Sequence, residues 1–161
     1  MICGSREPEA AIMKPRSPNK ILTGVAGEYF VAAELSRRGY VATLTLRNTR
    51  GIDILASNAD ATKTVSIQVK TNSGKKPHWL LSQKAESDIA DETIHYYVFV
   101  NLNGIFDSPR FYIVPRAAVA KFVKEGHAAF QSRGGRDNPM RVFSCEPDSK
   151  YLNAWESLDL G

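Results

Sequence analysis

The segment Thr64 to Lys70, TVSIQVK, puts Val65, Ile67 and Val69 on one face and Ser66, Gln68 and Lys70 on the other, because side chains of a strand alternate with a period of two. Gln68 and Lys70 are therefore neighbours on one face. The strand's apolar face must be covered by another layer, while an amide and an amine stand side by side on the opposite face. The preceding segment GIDILAS reads as a second strand in which Asp53 lies between Ile52 and Ile54. An acid is thus pointed away from an apolar pair yet held in a strand expected to be largely buried. Two adjacent strands bring Asp53, Gln68 and Lys70 together.

Upstream, TGVAGEYFVAAELSRR predicts a helix from Thr23 to Arg38, with Thr23 as its cap and Gly39 as its stop. At 100° per residue, Glu28 falls in the middle of a stripe formed by Val25, Tyr29, Ala32 and Leu35. A carboxylate buried there without a partner costs several kcal/mol, so a proton, Lys70, a backbone donor or a cation has to compensate it. Glu34, at the side of the helix near Arg38, reads as a solvated acid.

The rest of the chain supplies the layers. YVATLTL is a strand and RNTRG a turn, and after the loop TNSGKKPH the chain is extended over Trp79 to Leu81, then helical from about Ser82. HYYVFVN and RFYIVP are strands joined across a turn containing Asn103-Gly104, and AAVAKFVKEG is a helix stopped by Gly126. A glycine-rich loop, a short strand near Arg141 to Ser144 and a final helix around Tyr151 to Leu158 complete the pattern. The order is helix, three strands, helix, two strands, helix, which predicts an α/β layer fold with a central mixed sheet flanked by helices. Residues 1–19, with three prolines and little periodicity, read as a disordered leader, and residues 20–161 as a single domain.

The net charge of +4 is unevenly placed: residues 1–76 hold 12 Lys/Arg against 6 Asp/Glu, and the remainder 9 against 11. A basic half suits a polyphosphate partner, although ordinary solvated surfaces carry the same excess. The sequence contains no GxxxxGK(S/T), GxGxxG, GxSxG or HExxH, which argues against nucleotide hydrolysis, dinucleotide redox chemistry, serine hydrolysis and zinc proteolysis. Neither a membrane span nor a signal peptide is indicated, so the expected location is the cytoplasm. Cys3 and Cys145, and His78, His95 and His127, lack metal-ligand spacing.

The chemistry that uses an acid, an amide and a lysine on neighbouring strands is phosphodiester hydrolysis, in which carboxylate oxygens and a main-chain carbonyl, here that of Val69, hold a hard cation such as Mg²⁺. Lys70 then orients or deprotonates the attacking water, or stabilises charge on the phosphate. GEYFVAAELSRRGY, GIDILA and VSIQVKT resemble the helix glutamate, first acid and (E/Q)xK strand of PD-(D/E)xK nucleases, the restriction-endonuclease-like superfamily. They look most like archaeal Holliday junction resolvases and the nuclease domains of modification-dependent restriction enzymes. The resemblance spans Thr23 to Asn72 and implies Glu28, Asp53, Gln68 and Lys70 as catalytic residues. It further implies Mg²⁺ or Mn²⁺ held by Asp53, Gln68, Val69 and Glu28, and a metal-dependent DNA endonuclease of repair, recombination or defence. Many members have Pro-Asp where this chain has Ile52-Asp53, and an acid where it has Gln68, which offers an oxygen but no charge.

Two plainer readings stand beside this one. The polar face of the sheet can be a simple Asp53–Lys70 ion pair, or the fold can have lost catalysis and bind nucleic acid or a protein partner. Arg47, Arg50, Lys75 and Lys76 are the candidate phosphate contacts, and Arg133 and Arg136 lesser ones. Trp79 is expected in the core rather than stacked on a base. Cutting both strands favours two sites, and hence a possible homodimer.

Overall fold

The computed structural model describes residues 19–46, 51–86 and 95–161. The expected leader apart from Asn19, Arg47, Arg50, and the end of the helix expected after Ser82 lie outside the described residues. A five-stranded mixed sheet has the order β1 (Val41–Leu44), β2 (Ile54–Ser57), β3 (Thr64–Asn72), β5 (His95–Asn101), β6 (Arg110–Pro115). β1, β2 and β3 form an antiparallel meander, β3 and β5 are parallel, and β5 and β6 are antiparallel. A parallel pair needs a crossover. This one contains β4 (His78–Ser82) and the 3₁₀ turn Gln83–Glu86. β4 pairs with β7 (Met140–Ser144) in a separate two-stranded sheet.

Alternation along the central strands divides the core in two. Val65, Ile67 and Val69 of β3, Val98 and Val100 of β5, and Phe111 and Ile113 of β6 pack with Val31 and Leu35 of α1 (Lys20–Arg37). On the other face Tyr97, Phe99, Tyr112 and Val114 pack with Trp79, Leu81 and Phe143 of the small sheet and with Val119 and Val123 of α2 (Arg116–Ser132). Trp79 is 2% exposed and donates its indole N–H to the Val100 carbonyl at 3.0 Å, so it belongs to the core. β5 and β6 are apolar on both faces, as strands covered on both sides should be. β3 lies beside them yet carries Ser66, Gln68 and Lys70 on its α2-side face, and that interruption marks the site.

Three local expectations change. α1 starts at Lys20, three residues before the expected cap; the Asn19 side chain accepts from the Ile21 N–H at 2.9 Å, and Thr23 is buried inside the helix. α2 runs through Gly126 to Ser132; a mid-helix glycine costs only about 1 kcal/mol. The expected final helix is reduced to the 3₁₀ turn Trp155–Leu158, which drops Trp155 and Leu158 into the α1-side core. Among the described residues no helix is long and apolar enough to cross a membrane.

Candidate active site

β2 begins at Ile54, one residue after Asp53. The Asp53 backbone still follows β3, its N–H donating to the Ile67 carbonyl at 2.9 Å and its carbonyl accepting from the Thr45 N–H at 3.0 Å. The next β3 amide on that side, that of Val69, lies beyond the β2 ladder and donates to Asp53 Oδ2 at 2.7 Å. The side chain of Asp53 thus completes the ladder where β2 ends, and its carboxylate is fixed on β3. Backbone groups of alternate residues point the same way, so the Val69 carbonyl faces the same edge as the Ile67 carbonyl and the Asp53 carboxylate.

Gln68 and Lys70 are half-buried and line a cleft of about 660 Å³ with Gly51, Leu81, Ser82, Lys84, Ala85, Tyr97 and Arg116. A Cβ on Gly51 would stand 3.7 Å from Gln68 Nε2, so the chain leading to Asp53 passes beside that amide. Tyr97 is the β5 residue in register with Gln68. Burial pushes its phenol above the usual value; the Arg116 cation opposes that shift and the Asp53 carboxylate reinforces it. Lys70 also lines a second cleft of about 880 Å³ with Lys20, Thr23, Lys75, Lys76 and His78 among its walls, so the two clefts meet at this lysine. No acidic side chain lines either cleft among the described residues.

Glu28 is placed differently from the stripe read in the sequence. The buried face of α1 is Thr23, Gly27, Val31 and Leu35, whereas Tyr29 is 62% exposed. Glu28 lies at the flank of that face, half-buried and engaged with a neighbour. Its helix packs on the Val65–Ile67–Val69 side of β3, opposite Gln68 and Lys70. Gly27 crosses the end of β3 so closely that a Cβ there would lie 1.8 Å from Thr71 Oγ1. Neither Glu28 nor Asp53 lines the cleft that holds Gln68 and Lys70. Glu34 binds Arg37 and Arg38, and Arg38 in turn lies 4.8 Å over the Trp155 ring.

Sequence reasoning missed Tyr97, Lys84, Arg116 and Lys20. Tyr97 lies in HYYVFVN, a segment whose pattern shows a strand and no more, and the three cations come from elements whose approach to β3 has no local signal. Among the described residues no three His, Cys, Asp or Glu side chains are grouped to hold a metal. The edge offers one oriented carboxylate and one main-chain carbonyl, and the cleft beside it the Gln68 amide. This all-oxygen set fits a hard divalent cation and supplies little charge for it.

No protein-family model matches the chain, and no curated protein matches its sequence. Among solved structures, the bacterial homing endonuclease I-Ssp6803I is similar with a TM-score of 0.50 at 15% identity, over 89% of this chain and 93% of that one. The Holliday junction resolvase Hjc of Archaeoglobus fulgidus aligns with a TM-score of 0.46 at 15% identity, over 75% of this chain and 83% of its own. With the homing endonuclease the chain shares its fold, a central mixed sheet flanked by helices.

Proposed function

We propose that this protein is a metal-dependent DNA endonuclease that hydrolyses phosphodiester bonds at the edge formed by Asp53, Gln68 and Lys70. The observation that supports this most is the Asp53 carboxylate anchored on the Val69 N–H, next to a cleft face that presents Gln68 and Lys70. Asp53, Gln68 and the Val69 carbonyl would hold Mg²⁺ or Mn²⁺, with Glu28 adding charge from the α1 side. When bound, such a cation lowers the pKa of its water and polarises a phosphate oxygen. Asp53 is oriented before any ligand arrives, because one of its oxygens is committed to Val69. Lys70 stands where the two clefts meet and acts on the phosphate itself: its ammonium stabilises charge developing on the phosphoryl oxygens and orients the attacking water.

Lys70→Ala should lower cleavage of junction, duplex or single-stranded DNA by at least about a hundredfold, with an unchanged circular dichroism spectrum and most DNA affinity retained. Gln68 and the small number of grouped acids favour a second reading, a nuclease fold that binds nucleic acid without cutting. Wild-type protein that cuts none of these substrates with Mg²⁺ or Mn²⁺, and a Lys70→Ala variant that loses only stability, would establish it.

A further inference from the structure

Arg116 is the first residue of α2 and lines the cleft that holds Gln68 and Lys70. Its Nε atom is buried and has no hydrogen-bond partner, an expensive state for a guanidinium nitrogen. Its position adds to that cost. A helix N-terminus carries partial positive charge, and Pro115, at the N-cap, supplies no side-chain bond to the first turn. Lys84, in the 3₁₀ turn Gln83–Glu86, lines the same cleft. That turn is fixed in place by Glu86, which binds the Arg141 guanidinium of β7, itself 2% exposed in its side chain. Three cations therefore line one cleft, and Arg116 among them holds an unused buried donor.

We propose that Arg116 and Lys84 form a phosphate-binding position in this cleft, which takes the backbone phosphate neighbouring the one that reaches Lys70. The proposal rests on the nuclease reading for the identity of its ligand. A planar guanidinium fork matches two phosphate oxygens, and an anion there satisfies Nε and offsets the helix terminus at once, within reach of the cleft wall that carries Lys84. The occupant is a polymer strand rather than a small anion, because the cations continue past Lys70 to Lys20, Lys75 and Lys76 in the adjoining cleft. At about 660 Å³ the cleft is in the range that encloses a drug-sized molecule, so it admits a nucleotide or two of one strand and not a duplex.

Binding of a fluorescein-labelled oligothymidylate, followed by anisotropy in chelator so that no cleavage occurs, tests this. Arg116→Gln should weaken binding about tenfold and reduce the slope of log affinity against log salt by about 0.7, one single-strand phosphate contact. Arg116→Lys should keep the slope and recover part of the affinity, since it keeps the charge but not the fork. Lys84→Gln should act in the same direction as Arg116→Gln and carries the test if that variant fails to fold. Lys124→Ala, an exposed lysine on α2 that lines neither cleft, should change nothing.

Wild-type binding in the Arg116 and Lys84 variants, or an equal loss in Lys124→Ala, would overturn the proposal. Displacement of the strand by submillimolar inorganic phosphate at matched ionic strength would also overturn it. Cleavage assays judge the nuclease reading separately. A protein that binds through Arg116 but cuts nothing keeps this phosphate position and loses that reading, whereas one that cuts through Lys70 while Arg116→Gln binds normally loses only this position.

Discussion

Asp53 has two roles that a single substitution separates. Its Oδ2 accepts from the Val69 N–H at 2.7 Å, a bond that an asparagine amide oxygen can also accept, while only the carboxylate brings charge to a cation. Asp53→Asn should therefore leave the unfolding midpoint close to wild type and remove the heat of Mn²⁺ binding in calorimetry. Gln68→Glu is the opposite change, adding a carboxylate beside Asp53. It should tighten the cation and shift the activity optimum to lower Mg²⁺ or Mn²⁺ concentration. If Asp53→Asn bound Mn²⁺ as wild type does, the cation would not be at this edge.

At the level of elements, Gly27 ties α1 to β3. Replacing it with alanine improves helix propensity by about 1 kcal/mol. The new Cβ, however, would lie 1.8 Å from Thr71 Oγ1 and 2.9 Å from Thr71 Cβ, and the second contact is not relieved by rotating the side chain. Overpacking of this kind costs about 1–3 kcal/mol, so Gly27→Ala should be destabilising on balance and lower the urea midpoint; a variant more stable than wild type would contradict the close crossing.

β3 and its neighbours could be read from the sequence because alternation is a local signal: Val65, Ile67 and Val69 face α1, and Ser66, Gln68 and Lys70 face away, as the spacing requires. That Asp53 lies beside β3 follows from chain proximity, but its bonds to Ile67 and Val69 do not. The β4–β7 sheet could not be read, since its pairs, such as Trp79 with Phe143, join segments far apart in sequence. For the same reason nothing in the sequence singles out Lys84 and Arg116, which wall the cleft. Of the stripe expected around Glu28, Leu35 is buried and Ala32 packs against the core, whereas Tyr29 is exposed, because the small residues Thr23 and Gly27 set the packed face.

For the whole molecule, the basic excess of the N-terminal half acquires a location. Lys20, Lys70, Lys75 and Lys76 line one cleft, and Lys84 and Arg116 join Lys70 in the other. A surface that merely keeps a protein in solution intersperses both signs, whereas these walls hold one sign among the described residues. Each single-strand phosphate neutralised releases condensed counterions and adds about 0.7 to the steepness of log affinity against log salt. If all of these cations engage one strand, the slope should approach about −4, and Lys75→Ala with Lys76→Ala should make it shallower by about 1.4 while leaving sequence preference unchanged, since phosphate contacts carry no base information. Filter binding across a salt series measures both quantities. A slope near zero, or no affinity for any form of DNA, would instead assign the cationic clefts to an acidic protein partner.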